Sequence, residues 1–395
     1  MATLPPEKLK QLGSEIKKWR NDAVYGAYQL FKFEPDPAQR EFLDAFNPNQ
    51  PMRRIVLKAC VGPGKMLSYS TQVPTPTGTR AWGDLQPGDL VFAEDGSPTT
   101  ITGRYEQGVM PIYRVQFDDG SSVMAGLDHL WKVQGRTERR KKTGWTVLST
   151  REILDRGVTC PNGARRQKQF IIPRQGPAQF PYAVQSLDPY LAGVWIGDGS
   201  KGTPRYTKPY PEVEHEINRR GYRTRRGKDG ATVVILGCAD QFSRLHCFAC
   251  NSHERYIPDN YKYAAVQQRA DVLCGLMDTD GTIGKDGHME FASTSERLAH
   301  DVVWMVRSLG GVALVKESIK QGWYYDERRE QVPCRDCWRV TVVLPFNPFR
   351  IAHKAERWHD PLRCKSTERY LTRFIELIEY SHDEEAMCIE VEHPS

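Results

Sequence analysis

The chain has 395 residues, 39% of them hydrophobic, enough to build two or three cores of ordinary domain size rather than one compact domain. A net charge of +6 favours a polyanionic partner only where the charge clusters. No apolar run is long enough to span a bilayer, the N-terminus has no signal-peptide core, and ten cysteines are too sparse for a disulfide scaffold. These features exclude membrane and secreted classes and predict a cytoplasmic chain with reduced thiols.

Residues 1 to 65 open with a charged helical stretch, followed by W-R-N-D at Trp19 to Asp22 and F-E-P-D-P-A-Q-R at Phe33 to Arg40. Arg53 to Leu57 reads as a buried strand, and Ala59 to Lys65 (A-C-V-G-P-G-K) as a phosphate-cradling loop. Gly62 and Gly64 form its turn and Lys65 is its cation. Such a loop needs Ser or Thr next, for Mg²⁺, but Met66 stands there and no helix pattern follows. The order of these motifs is similar to the opening of phage terminase large subunits, the DNA-packaging ATPases. That resemblance implies that Gln39 lies near an adenine, that Lys65 is the P-loop lysine, and that the host cell is a bacterium carrying a phage or prophage.

From Met66 to Val133 the pattern changes to short strands and turns, with Pro87-Gly88-Asp89 and Asp119-Gly120 as punctuation, ending in D-H-L-W-K-V. It resembles the N-terminal half of the all-β, Hint-type splicing fold of inteins, self-excising protein inserts. The resemblance implies that His129, 63 residues after Met66 (129 minus 66), activates the upstream peptide bond. Read without it, a lone His is an ordinary core or surface residue. Most inteins begin with Cys or Ser, whereas the thioether of Met66 cannot attack a carbonyl. The class lacking a first nucleophile uses a Trp two residues after the histidine, a downstream Cys, and a Thr after the insert. Trp131 fits, as does Cys388 in E-A-M-C-I-E-V-E-H-P-S near the end of the chain. The alternative for Cys388 is an inert buried thiol. On the resemblance, splicing begins with Cys388 attacking the carbonyl at the Lys65-Met66 bond and ends with cyclisation of a terminal Asn. That Asn is absent before Ser395, so a C-terminal intein and extein segment is expected to be missing or supplied in trans, and ATP serves only the completed terminase after splicing.

Between the two halves lie the basic runs Arg136 to Lys142 and Arg219 to Lys228. The second contains Arg219, Arg220, Arg223, Arg225 and Arg226 and is expected to neutralise DNA phosphates, although a solvated loop accounts equally for either run alone. More specific are L-A-G-V-W-I-G-D-G at Leu191 to Gly199 and L-C-G-L-M-D-T-D-G at Leu273 to Gly281. Each is an apolar helical segment with small residues where two helices can touch, ending in Asp-Gly. Asp188-Pro189 supplies the first with a cap and a first-turn proline. Packed face to face, the segments bring Asp198 and Asp280 together as a hard-oxygen site for Mg²⁺.

These segments are similar to the paired motifs of LAGLIDADG homing endonucleases, usual passengers of inteins. Their separation of 82 residues (280 minus 198) leaves room for one α/β half-domain. The strand-like Ala231 to Leu236, the block Ser252 to Pro258, and Met289 to Leu298 fill that pattern. The family often has Lys where this chain has Arg255, which transfers protons poorly. The resemblance implies cleavage of double-stranded DNA by a monomer. Cys247-x-x-Cys250 and Cys334-x-x-Cys337 are a candidate Zn²⁺ site with a spacing too long for a compact ribbon.

The fold class expected is multidomain α+β. A partial P-loop ATPase segment (1–65) precedes a splicing domain (66–135), a basic linker and DNA-recognition region (136–185), an inserted pseudo-two-fold α/β endonuclease (186–360), and a return to the splicing fold (361–395). The competing reading is a DNA-packaging ATPase fragment with a degenerate DNA-binding insertion. An acidic Walker B strand would favour it, and residues 1 to 65 contain none.

Overall fold

A computed structural model describes residues 66–162, 165–318, 323–325, 330–363 and 370–392. Gln39, Gly62, Gly64 and Lys65 lie outside the described residues.

The hairpin-rich stretch after Met66 forms β1 (Leu67–Ser68), β2 (Gln72–Thr75), β3 (Gly78–Ala81), β4 (Leu90–Phe92), β5 (Pro98–Phe117), β6 (Ser122–Gly126) and β7 (Leu130–Val133). Short helix α1 (Arg136–Lys141) is followed by β8 (Thr146–Ser149), α2 (Thr150–Arg156), β9 (Thr159–Asn162), β10 (Arg165–Lys168) and β11 (Ile171–Pro173). The expected Asp119-Gly120 turn joins β5 to β6, with Gly120 at φ 74°, where a side chain would be strained. The sheet is completed from the far end of the chain. A 20-residue strand, Thr372–Val391, pairs antiparallel with the equally long β5 and also with β1 and β11. The strand order is β11, the Thr372–Val391 strand, β1, β6, β5, β4. Register shifts at Ile375/Leu377, Tyr380/His382, Ala386/Met387 and Glu390/Val391 interrupt the long ladder, and such irregularities let paired strands bend.

The segment expected to be a linker is folded. Leu148, Ile153, Phe170 and Ile172 pack in one core with Leu85, Phe117, Val133 and Ile375, so the first β-domain extends through Pro173 rather than ending at 135. The basic run masks this in the sequence: α1 buries none of its own residues, while buried residues one turn or strand later do the packing.

The inserted domain has its own core, from Leu187 to Ile351. Its first half comprises α3 (Pro189–Asp198), β12 (Arg205–Thr207), α4 (Pro211–Arg219), β13 (Arg223–Arg226) and β14 (Thr232–Leu236), with strand order β12, β14, β13. The second comprises α5 (Val266–Thr279), β15 (Gly281–Ile283), β16 (Met289–Ser293), α6 (Glu296–Ser308), β17 (Val312–Ser318), the hairpin β18 (Trp323–Tyr325) and β19 (Gln331–Pro333), and β20 (Cys337–Val343), with the main sheet ordered β15, β16, β20, β17. The returning strand is thus β21. Helices α3 and α5 begin and end as their sequences dictate. Asp188 Oδ1 accepts from Leu191 N (3.2 Å) ahead of Pro189, and each helix stops at its Asp-Gly.

These two helices touch backbone to backbone. A Cβ on Gly193 would sit 2.1 Å from the Val272 carbonyl oxygen, and one on Gly275 would sit 2.3 Å from that of Tyr190. Tyr190 then donates to Asp278 Oδ2 across the contact (2.8 Å). Gly costs a helix about 1 kcal/mol relative to Ala, so glycine is retained here against its propensity because no side chain fits. Gly193→Ala is therefore expected to lose about 1–2 kcal/mol net, the overpacking outweighing the helix gain. Urea unfolding followed by tryptophan fluorescence checks this, and an unchanged midpoint refutes it.

Candidate functional sites

The first site lies where β1, β21 and the turn before β7 meet. Leu67 pairs with Met387 and Ser68 with Ala386. Continuing that antiparallel register by one residue sets Met66 opposite Cys388. Both are buried, 4% and 1% exposed, in a small cluster with Ile112 and Ala386. The Met66 carbonyl accepts from Gly126 N (3.1 Å) and faces His129 Nδ1 at 3.2 Å. A carbonyl only accepts, so the facing ring nitrogen carries the proton. Histidine was expected to act on the bond preceding Met66; here it grips the peptide unit that follows.

Trp131 orients that histidine. Its ring lies 4.5 Å from the imidazole, centre to centre, and its indole N–H donates to Thr150 Oγ1 (2.9 Å), while Thr150 N donates to the His129 carbonyl (2.9 Å). Sequence reasoning missed two further supports. Trp82 Nε1 donates to the Met387 carbonyl (2.9 Å), beside Cys388. Glu384 Oε2 accepts from Ser68 Oγ (2.5 Å) and Ser70 Oγ (3.1 Å), clamping β1 to β21. Partial burial works against its charge, but these hydrogen bonds and that with His382 hold the Glu384 carboxyl below its usual range. Neither residue belongs to a motif, and only cross-strand register makes them neighbours.

The second site lies at the paired ends of α3 and α5. A Cβ on Gly197 would come within 3.3 Å of Asp280 Oδ2, so the Asp-Gly ends converge as expected from the helix pairing. Burial, and then the negative charge of Asp198, push the Asp280 carboxyl up to about 7, against the opposing pull of Lys208, Arg255 and Lys354. Lys208 Nζ stands 2.5 Å from Asp198 Oδ2, as an ion pair outside hydrogen-bond alignment.

Arg255 and Lys354 play matching parts at the two helix ends. Arg255 Nη1 donates to the carbonyls of Trp195 (3.2 Å), Ile196 (3.0 Å) and Gly197 (2.9 Å), and Nη2 to Gly199 (2.5 Å), with the guanidinium stacked on Trp195. Lys354 Nζ donates to the carbonyls of Met277 (3.3 Å), Asp278 (2.9 Å) and Gly281 (2.7 Å). Each cation satisfies carbonyls that a helix C-terminus leaves open and offsets its negative dipole end. Burial draws the Lys354 ammonium down to about 8. The choice of Arg at 255 is explained by this capping, which uses a fork of donors. Lys208 and Lys354 carried no sequence signal.

The basic run from the end of α4 through β13 divides between inward and outward side chains. Arg220 is committed inward to Asp188 (3.2 Å), Glu216 (2.8 Å) and Asp271 (2.9 Å), Arg226 to Glu214 (2.8 Å), and Arg219 pairs with Glu216 (2.7 Å). Ion pairing within the fold occupies Arg220 and Arg226, whereas Arg219, also expected to meet DNA with Arg223 and Arg225, keeps its side chain 62% exposed beside Glu216. Arg223 and Arg225 point outward, and Arg225 and Arg205 flank Val234 in one cross-strand row. On the other sheet, Arg339 and Lys316 are exposed and paired across β20 and β17. The four candidate zinc thiols are not gathered into a site: among the described residues no three His, Cys, Asp or Glu converge for a metal. Cys247 is buried in a turn beside Cys250, and Cys337 starts β20.

Residues 267–342 match the LAGLIDADG-like domain family. The match runs from α5 to β20, the second half of the inserted domain. Among curated proteins the chain is similar to a replicative DNA helicase DnaB of Mycobacterium intracellulare, 30% identical over 271 residues, 65% of this chain and 44% of that protein. The chain therefore spans under half the length of that relative. Among solved structures it is similar to the MchDnaB-1 intein (37% identity, 17% of this chain and 53% of that one, TM-score 0.16). It is also similar to a variant of I-DmoI in complex with its target DNA in the presence of Mn (10% identity, 40% and 87%, TM-score 0.27). The curated relative and the MchDnaB-1 intein carry the DnaB name and not that of a terminase.

The raised carboxyl of Asp280 has a stability consequence with a definite sign. Its folded value, about 7, exceeds the ordinary 3.8, so the fold holds a proton that the unfolded chain has released, and stability falls as pH rises from about 4 to about 7. Asp280→Asn removes that loss. It is expected to unfold at higher urea than the native chain at pH 8, by on the order of 1–2 kcal/mol, and no later than it below pH 4. Equal stability at pH 8 overturns the assignment of the strained carboxyl.

Proposed function

We propose that the chain is an intein of the class lacking a first Cys or Ser, carrying an active homing endonuclease. The observation that supports the splicing half is the β1/β21 register, which sets Cys388 opposite Met66 in a shared buried cluster. In the first step Cys388 Sγ attacks the Lys65 carbonyl carbon, the C–N bond to Met66 breaks, and the Met66 amine leaves with a proton. The Lys65 acyl group is then a thioester on Cys388. His129, held by Trp131, orients the peptide beside the scissile bond; Met66 contributes only packing. In this reading residues 1–65 are an extein of a terminase, as the order of their motifs suggests, although the named relatives point to a DnaB-type host for related inserts.

A thiol such as dithiothreitol should intercept the thioester and release residues 1–65. Cys388→Ala should stop that release, while Met66→Ala should leave most of it. Undiminished release from Cys388→Ala, seen by mass spectrometry, sinks the nucleophile assignment.

For the endonuclease, the converging carboxyls of Asp198 and Asp280 fit a divalent cation, whose charge would offset the burial and the neighbouring charge that hold Asp280 up. Asp198 and Asp280 would hold Mg²⁺, which supplies Lewis-acid stabilisation and an acidified water when bound. Arg255 and Lys354 fix the two helix ends so that the carboxylates stay in register with each other. The outward arginines Arg205, Arg223 and Arg225, with Arg339 and Lys316, neutralise phosphates of double-stranded DNA on either side. Asp198→Asn and Asp280→Asn are each expected to abolish cleavage of a duplex carrying the uninterrupted host sequence while retaining binding within about threefold, since only metal ligation is lost. Cleavage and gel-shift assays read this directly, and unchanged cutting in both variants rules the site out.

A further inference from the structure

Resting on the nuclease reading above, we propose that Lys208 is a tethered cation that occupies the metal's place on Asp198 until the divalent ion and a DNA phosphate arrive. Its ammonium lies 2.5 Å from Asp198 Oδ2, and both side chains are largely covered, 20% and 29% exposed. The lysine backbone is fixed at the end of β12. Its N–H donates to the Ala231 carbonyl (2.9 Å) and its own carbonyl accepts from Arg226 Nη1 (3.2 Å), so the position of the stem is set by the sheet.

The other two cations cannot take this part. Arg255 and Lys354 spend their donors on main-chain carbonyls at the helix ends, and either one leaving would uncap a helix. Lys208 alone of the three sits on a carboxylate oxygen. Lys208 places its positive charge where a dication would meet Asp198, with Arg255 and Lys354 close by, and that charge opposes the ion's entry. A phosphodiester brings the missing negative charge. Once Lys208 leaves Asp198, its ammonium is free to meet that phosphate, a hard oxygen anion it can pair with as a point charge. Metal and DNA then each raise the affinity for the other. A nuclease built this way takes up metal poorly until substrate is present.

The test is Mn²⁺ binding to the full chain without DNA, by titration calorimetry. Lys208→Met is expected to bind Mn²⁺ about tenfold or more tightly than the native chain, because the competing charge is gone. Lys208→Arg, which keeps the charge, is expected to bind as the native chain does, and the double variant Lys208→Met/Asp198→Asn to lose the gain. Equal affinity in Lys208→Met and the native chain, or no binding by either, overturns the role of Lys208. If Asp198→Asn still cuts DNA with metal and binds Mn²⁺ as the native chain does, the metal reading itself fails, independently of Lys208. Circular dichroism confirms that the variants compared are folded.

Discussion

The pairing of β5 with β21 is the constraint on which the rest depends. Two 20-residue strands whose register begins at Phe117 and Ile375 must find each other across an entire inserted domain. Closing so long a loop costs only slowly more entropy as it lengthens, and a folded insert whose ends lie together reduces even that. The ladder accordingly tolerates a passenger on the order of 180 residues within its sheet. The same pairing delivers Cys388 to Met66, since the thiol lies one register step beyond the last β1/β21 pair. Trp82 and Glu384 reinforce that step with hydrogen bonds from two sides.

The passenger is joined to its carrier by a buried charge. Asp119, at the β5–β6 turn, binds Arg174 of the connecting segment (2.8 Å) and lies near Arg373 of β21 (3.9 Å), while its carbonyl accepts from Arg307 of α6 (2.6 Å). Burial alone would raise this carboxyl. Hydrogen bonds from Ser121 and Arg174, with the charges of Arg373 and Arg307, instead hold it down at about 2. A buried carboxylate satisfied on several sides sets orientation more than it adds stability. Entry segment, exit strand and inserted helix meet at one residue, so the two domains are positioned by a shared polar node as well as by apolar contact.

At the helix pair, stability and chemistry oppose each other. Gly193 and Gly275 bring α3 and α5 close enough for the Asp-Gly ends to converge, and there burial, followed by repulsion from Asp198, holds the Asp280 carboxyl up. Arg255, Lys354 and Lys208 offset that repulsion by different routes, two by holding the helix termini and one by pairing with a carboxylate directly.

Local grammar was legible from the residues alone. The broken phosphate loop at Met66, the Asp119-Gly120 turn, the capped helix at Asp188-Pro189, the two Asp-Gly segments, and strand β14 all follow from short-range steric and capping rules, and the described ones appear where those rules put them. Other features were decided only in three dimensions. The basic stretch after α4 reads as uniform charge, but a strand sends alternate side chains to opposite faces, so Arg223 and Arg225 look outward while Arg226 turns to Glu214. The apparent linker after Val133 became core because Leu148, Ile153 and Phe170 found partners on β5, β7 and β21. Lys208 and Lys354 have no motif at all, since a cation beside a distant helix end is chosen by proximity and not by spacing along the chain. Sequence periodicity determines which face of an element is apolar and where that element stops; which charge meets which carboxylate depends on how the elements stack, and only the tertiary structure sets that.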